Sequence, residues 1–179
     1  MFAPELDRWV ARPALHVAAR RASSASPQRL WQAALELPLS ETRLLGRLIR
    51  WRIPGTPATV SFGALFSEPP FVVLQEREGL LVCGLVGRIW TLRRDYPQLR
   101  GPREFQRFHE PGSARVVFAH WVERGECGGG TLVSETRVEA VGLRGQLGVA
   151  AVAPLVRRFG GLVGSDGLAA AVRRAEAGG

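Results

Sequence analysis

The residue best suited to acid–base chemistry is His120, which falls in a stretch that alternates in the manner of a β-strand. Val116, Phe118 and Val122 share its predicted face, because side chains two residues apart point to the same side of a strand. An imidazole titrates near neutral pH, so His120 would be the natural proton carrier of a cavity on that face. The alternative, which we favour, is a packed or edge-exposed histidine that bonds a neighbour.

Glu135 and Arg137 form a second candidate pair, two residues apart on a predicted strand. The alternation places Leu132 and Val138 on the opposite face, so the pair lies on the polar side of the strand. We interpret it as a solvated or cross-strand ion pair, which contributes little stability. The alternative is a buried pair at the mouth of a cavity.

The remaining candidate groups form no catalytic or metal-binding pattern. His16 and His109 lie near predicted strand ends, and no spacing in the chain indicates a triad or a metal site. The run GECGGG has no following Lys-Ser/Thr or helix, so it is interpreted as a hairpin turn and not a phosphate loop. Cys83 and Cys127 are expected to be reduced thiols. We therefore expect no metal and no cofactor.

The basic composition suggests a nucleic-acid partner only weakly. The formal net charge is +8, but all 24 basic residues are arginine, and the chain has neither lysine nor asparagine. A GC-rich genome is the simplest explanation, and the arginines are scattered in pairs. We expect no nucleic-acid partner. Arg43, Arg47 and Arg50 could form a basic helix face for phosphate or an anionic membrane, although a solvated face is the more frequent explanation.

The sequence also predicts a cytoplasmic protein. No window of 18 apolar residues occurs, so we expect no transmembrane segment. Glu5, Asp7 and Arg8 precede any apolar run, which argues against a signal peptide.

The elements that must position these side chains begin with a strand and two helices. Residues 1–13 are a lead-in, and residues 15–19 alternate as a short strand. Ser26 before Pro27 predicts a helix start, and the helix runs to about Leu37. Ser40 is predicted to cap a second helix that ends at Pro54-Gly55.

The middle of the chain is predicted to form strands, and the end one helix. Strands are predicted over residues 60–66, 71–78, 80–90, 105–110, 113–124 and 131–141. Residues 143–176 are predicted to form a long helix that Pro154 and the Gly160-Gly161 pair should bend or interrupt. Segregated strands and helices favour a single α+β domain over residues 1–179, with an antiparallel sheet of about six to seven strands. The C-terminal helix is the only element long enough to cover it.

This order resembles the START-like, or SRPBCC, superfamily with its helix-grip fold, and specifically a largely uncharacterised bacterial branch. The opening resembles the usual strand followed by a Ser-Pro helix start with Trp31. The later pieces are similar to a Gly-x-x-Trp strand end, a Phe-x-x-Phe-x-x-Pro-Gly turn, a Thr-Glu-Thr-Arg-Val strand and an Arg-Arg-Ala-Glu helix end. Here they correspond to Gly87 and Trp90; Phe105, Phe108, Pro111 and Gly112; Ser134 to Val138; and Arg173 to Glu176.

The resemblance implies that a hydrophobic small molecule, of the lipid, polyketide or quinone class, binds between the sheet and the C-terminal helix, most simply without catalysis. The alternative is an aromatase/cyclase-like enzyme that uses His120, and Glu135 or Arg137. The chain departs from the branch at two places. Ser134 replaces the usual Thr, and Ser165-Asp166-Gly167 stands where the branch often carries basic residues. The expected ligand-binding residues are Trp90, Phe105, Phe118, His120, Leu155, Phe159 and Val163.

Overall fold

The strands of the chain form one antiparallel sheet. The computed structural model describes residues 3–91, 93, 96–125 and 128–178. In that part of the chain the strands are β1 (Leu15–Ser23), β2 (Val72–Arg77), β3 (Leu80–Gly87), β4 (Ser113–Arg124) and β5 (Gly130–Val141). The spatial order is β1-β5-β4-β3-β2, with every pair antiparallel. The predicted α+β class with an antiparallel sheet is confirmed.

The sheet has five strands because two predicted strands are short helices. Residues 60–66 were expected to form a strand, but the chain forms α3 (Phe62–Ser67), which begins where Ser61 Oγ accepts a hydrogen bond from the Ala64 amide. Residues 105–110 were also expected to form a strand, but the chain forms α4 (Pro102–Arg107). Proline suits the first position of a helix, where no amide hydrogen is needed.

The two N-terminal helices match their predictions unequally. Helix α1 (Pro27–Glu36) begins as expected, with Ser26 Oγ accepting a hydrogen bond from the Arg29 amide. Ser40 does not cap a second helix, because it lies within a short 3-10 turn, Leu39–Glu41. Helix α2 (Leu45–Arg52) starts later and has no cap from its own N-terminal residue.

Helix α5 (Gly142–Ala177) is continuous over 36 residues, or about 54 Å. Neither Pro154 nor the Gly160-Gly161 pair interrupts it, so the expected break is absent. Gly160 and Gly164 let the helix lie directly on the edge strand β1. A Cβ at Gly160 would be 3.2 Å from the methyl groups of Val17, and one at Gly164 would be 3.5 Å from Ala19.

Helix α5 also has the length and apolar composition of a membrane-crossing helix, and only 11% of its most apolar 18-residue window is buried. Its two ends are packed, with Val149 and Ala153 buried near the start. Near the end the buried residues are Gly167, Leu168, Ala170, Ala171, Val172 and Ala175. From Pro154 to Asp166 no residue of α5 is buried. The middle of the helix is therefore held mainly by its contact with β1.

Both faces of the sheet are covered. Helices α1, α3 and α5 pack on the face that carries Val116, Phe118 and Val122 of β4. The N-terminal lead-in and α4 cover the opposite face, where Val10 and Phe105 are completely buried. Strand β3 is buried along its whole length, as expected for a strand covered on both sides.

Candidate functional site

An apolar cavity of about 50 Å³ lies between the sheet and the helices. Three helices and three strands contribute to its walls. Its lining residues are Trp31, Ala34, Leu35, Leu37, Phe62, Phe66, Leu81, His120, Leu132, Ser134, Gly167, Leu168 and Ala171. It lies against the last third of α5, whereas the α5 residues expected to bind a ligand come from the middle of the helix.

His120 is the one histidine among the described residues that line this wall. In the described part of the chain, its Nε2 is buried without a hydrogen-bond partner. Burial lowers the pKa of His120 to about 4, because a charged imidazole is poorly solvated there. The ring is therefore neutral at pH 7, with one nitrogen able to donate and the other able to accept a hydrogen bond.

The sheet register and helix α3 fix the surroundings of His120. Across the sheet, His120 is paired with Leu81 of β3 and Ser134 of β5. Helix α3 places Phe62 and Phe66 one turn apart, and their ring centroids lie 6.5 and 5.1 Å from the His120 ring. Aromatic edges and faces thus surround the imidazole on the helix side.

The last third of α5 closes the cavity through small residues. Gly167 lies against Leu45 and Phe62, and a Cβ there would be 2.8 Å from Leu45 Cδ2. Ala171 and Leu168 complete this wall. The resulting space has room for a few water molecules, at about 10–15 Å³ each. Pockets for drug-sized ligands are about 300–1,000 Å³, so a larger guest requires the walls to separate.

Of the seven residues expected to bind a ligand, His120 alone lines this cavity. Phe105 was wrongly assigned, because helix α4 places it on the opposite face of the sheet, fully buried, with its ring centroid 6.4 Å from that of Trp9. Phe118 does not line the cavity but packs against Phe66, which does, with their ring centroids 5.8 Å apart. Trp90 packs on Gly148 of α5.

The three expected residues of α5 are also outside the cavity wall. Leu155 and Phe159 are 62% and 45% exposed, and Val163 is half-buried. A helical period shows which residues share a face but not how far that face stands from the sheet. The wall residues that sequence reasoning missed are mainly Trp31, Phe62 and Phe66. For Phe62 and Phe66 a signal was available: Ser61 is a good helix N-cap, and two aromatic residues four apart share one face of a helix.

Glu135 and Arg137 lie on the other face of the sheet from His120. Arg137 Nε is 2.6 Å from Glu135 Oε1, and Arg137 also pairs with Asp7 of the lead-in at 2.5 Å. His16 Nε2 is 3.1 Å from the same Glu135 oxygen. The side chains of Glu135 and Arg137 are only 14% and 20% exposed, while those of their partners His16 and Asp7 are 51% and 74% exposed. The sheet separates this group from the cavity.

Cys83 is inaccessible in the interior, and burial raises the pKa of its thiol to about 12. Cys127 and its neighbour Glu126 in the predicted turn lie outside the described residues. Within the described part of the chain, no group of three or more His, Cys, Asp or Glu residues is placed to hold a metal ion.

Helices α2 and α5 carry the exposed large hydrophobic side chains of the described residues. Among the described residues, every exposed large hydrophobic side chain lies on α2, on α5 or at the residue that precedes α2. We call this set the α2–α5 apolar surface: Leu44, Leu48, Trp51, Leu143, Leu147, Leu155, Phe159 and Leu162.

Comparisons with known proteins leave the family open. No protein-family model matches the sequence, and no curated protein matches it either. Among solved structures, the protein TTHA0849 from Thermus thermophilus is similar with a TM-score of 0.40 and 10% identity, over 91% of this chain and 98% of that chain. The hypothetical protein jhp0584 from Helicobacter pylori is similar with a TM-score of 0.46 and 11% identity, over 98% of this chain and 95% of that chain. Similarity at this level assigns neither a family nor a function.

Proposed function

We propose that the protein binds a small hydrophobic molecule between the sheet and helix α5. The observation that carries this proposal is the apolar cavity containing the buried, unpartnered Nε2 of His120. An unsatisfied buried polar atom costs stability, and such groups in proteins are usually paired. A guest with one polar group would satisfy the nitrogen and bury its apolar body against Trp31, Phe62 and Phe66.

The neutral imidazole sets the chemistry of that polar group. With the proton on Nδ1, Nε2 of His120 accepts a hydrogen bond from a hydroxyl; with the proton on Nε2, it donates to a carbonyl. A neutral lipid, polyketide or quinone with a hydroxyl or carbonyl fits this requirement. A cationic guest does not fit, because none of the described residues that line the cavity carries a carboxylate.

Such a guest needs more room than the closed cavity offers. The segment of α5 from Pro154 to Asp166 has no buried residue, so its separation from the sheet exposes little apolar surface. Segments with few buried contacts open at the lowest free-energy cost. We expect this part of α5 to move outward when the ligand enters.

A second candidate function is an aromatase/cyclase-like activity on the same kind of ligand. The observation that favours it is that His120 lines the cavity and has an unpartnered Nε2. Its lowered pKa makes the ring a weak base at neutral pH, so catalysis would need the guest to raise that pKa. Glu135 and Arg137 cannot assist, since they lie beyond the sheet. His120 would be the sole acid–base side chain in the cavity wall.

Native mass spectrometry of the protein purified from its own host tests the binding proposal. We expect a bound mass that organic solvent extracts. Ala171→Leu, which fills the cavity wall, should remove most of this mass. Ala177→Leu is the matched control, because Ala177 is exposed near the end of the same helix. A ligand-free mass for every form, together with no uptake of an added fluorescent fatty acid, would overturn the proposal.

A further inference from the structure

The α2–α5 apolar surface has a regular arrangement on both helices. Leu44, Leu48 and Trp51 follow each other at spacings of four and three, so they share one flank of α2. They are between 43% and 53% exposed. Exposed apolar patches of this kind on soluble domains mark interaction sites.

The same spacing continues on α5. Leu155, Phe159 and Leu162 are separated by four and three residues, and Asp166 follows four residues later on the same side. The Asp166 carboxylate accepts hydrogen bonds from the amides of Leu44 and Leu45 at the start of α2. This side of α5 is therefore the side beside which α2 lies, and we infer that the two apolar flanks form one surface.

Basic residues predominate in the two segments that carry this surface, with Asp166 as an acidic residue at its edge. Residues 42–67 and 142–165 contain no Asp or Glu, and they contain seven arginines. These two segments therefore carry +7 of the formal net charge of +8. The arginines are Arg43, Arg47, Arg50, Arg52, Arg144, Arg157 and Arg158.

We propose that the α2–α5 apolar surface docks on the surface of an anionic lipid bilayer. Leucine side chains and Trp51 would enter the boundary between headgroups and acyl chains, where indole rings are favoured. The exposed arginines beside them, such as Arg47 and Arg50, would bind lipid phosphates, whereas Arg52 donates its hydrogen bonds within the protein. Apolar burial and attraction to anionic headgroups act together in helices that lie in the membrane interface.

The charge also argues against the other occupants of such a surface. A second copy of the chain would bring another +7 surface against the first, and like charges repel at short range. Nucleic acid would satisfy the arginines but leave the exposed leucines and Phe159 in water. Passage of α5 through the bilayer would require Gly160 and Ala153 to leave the sheet on which they pack.

Co-sedimentation of the full chain with lipid vesicles tests the proposal. We expect binding to phosphatidylcholine vesicles that contain about one-third phosphatidylglycerol, and at least about tenfold weaker binding to phosphatidylcholine alone. Binding should fall steeply between about 0.05 and about 0.5 M salt, because salt screens exposed charges. The fluorescence emission of Trp51 should shift to shorter wavelength on binding. Because the chain has five tryptophans, comparison with Trp51→Phe identifies the part of the signal that comes from Trp51.

Two sets of variants separate the apolar and the charged parts. Leu48→Ser with Trp51→Ser should weaken binding by at least about tenfold, and Arg47→Glu with Arg50→Glu should do the same. The matched charge control is Arg103→Glu with Arg107→Glu on α4, where both side chains are exposed over the opposite face of the sheet. This control makes the same change in net charge and should lose much less affinity. Thermal unfolding of each variant verifies that it is folded.

Four results would overturn the proposal. The first is equal binding to neutral and anionic vesicles, and the second is equal loss in the α2 and α4 charge variants. The third is membrane association that resists alkaline carbonate, which would show that α5 inserts across the bilayer. The fourth is absence of vesicle binding by a protein that instead dimerises through this surface or binds duplex DNA.

Discussion

The carboxylate of Asp166 accepts a hydrogen bond of 2.8 Å from the backbone amide of Leu44, and a second, of 3.2 Å, from Leu45. The N-cap residue of α2, Leu44, has no side-chain acceptor, and Thr42 Oγ1 accepts only from the Gly46 amide. Helix α5 therefore supplies the acceptor for the two preceding amides from 122 residues away in the sequence. A negative charge at a helix N-terminus also interacts favourably with the helix dipole. Asp166 thus joins α2 to α5.

This contact predicts that Asp166→Ala destabilises the protein. Loss of an N-terminal helix cap costs about 1 kcal/mol, with a range of roughly 0.5–2. Urea unfolding followed by circular dichroism should show a lower midpoint with an unchanged slope. Asp166→Asn is the matched control, since asparagine caps helices about as well as aspartate. Equal stability of Asp166→Ala and the wild type would show that α2 needs no cap from α5.

Two glycines of α5 predict opposite effects for the same substitution. A Cβ at Gly148 would overlap the indole ring of Trp90, whereas a Cβ at Gly161 meets nothing within 4 Å. Gly161→Ala should therefore stabilise the helix by about 0.5–1 kcal/mol, as alanine does in an open helix interior. Gly148→Ala should destabilise the protein by about 1–3 kcal/mol, because the ring must move. Differential scanning calorimetry of both variants measures the two changes in stability. If Gly148→Ala were more stable than the wild type, Trp90 would not pack against α5.

The ion pair on the far face of the sheet predicts small effects on both stability and binding. Glu135 contacts Arg137 and His16, but the group is partly exposed, and pairs of this kind contribute about 0–1 kcal/mol. Glu135→Gln should change the unfolding free energy by no more than that amount and leave ligand uptake unchanged. His120→Ala, by contrast, should reduce ligand uptake, because it removes the ring nitrogen that would bind the ligand. Loss of uptake in Glu135→Gln alone would place the functional site on the other face of the sheet.

The sequence predicted the sheet well where strands alternate over many residues. Strands β4 and β5 are 12 residues each, long enough for the two-residue period to define their faces, and His120 was correctly placed with Phe118. The period failed over six-residue elements. Helices α3 and α4 are one to two turns long, too short for a helical period to be distinguished from alternation. Their aromatic residues, Phe62, Phe66 and Phe105, were therefore assigned to the wrong elements or faces.

The cavity itself depends on contacts between distant segments. Its walls need α1 and α3 to pack on the sheet beside the last third of α5, and such packing leaves little trace in a single sequence. The exposure of Leu155 and Phe159 has the same origin. Their spacing indicated an apolar face, but Gly160 and Gly164, which bring α5 onto β1, determine which side of the helix meets the sheet.

The buried state of His120 predicts a dependence of stability on pH. Its pKa in the folded protein is about 4, below the ordinary value of 6.5, so the unfolded chain binds the proton more readily. Stability should therefore fall as the pH decreases from about 6.5 to about 4, by roughly 1.4 kcal/mol for each unit of difference between the two pKa values. Urea unfolding at several pH values measures this loss, and NMR titration of the His120 ring measures the pKa directly.

The variant His120→Phe should abolish this part of the pH dependence of stability. The control His16→Phe, which changes an exposed histidine, should retain it. A His120 pKa near 6.5 in the folded protein would mean that the ring reaches water, and would remove the unpartnered nitrogen on which the proposed ligand site depends.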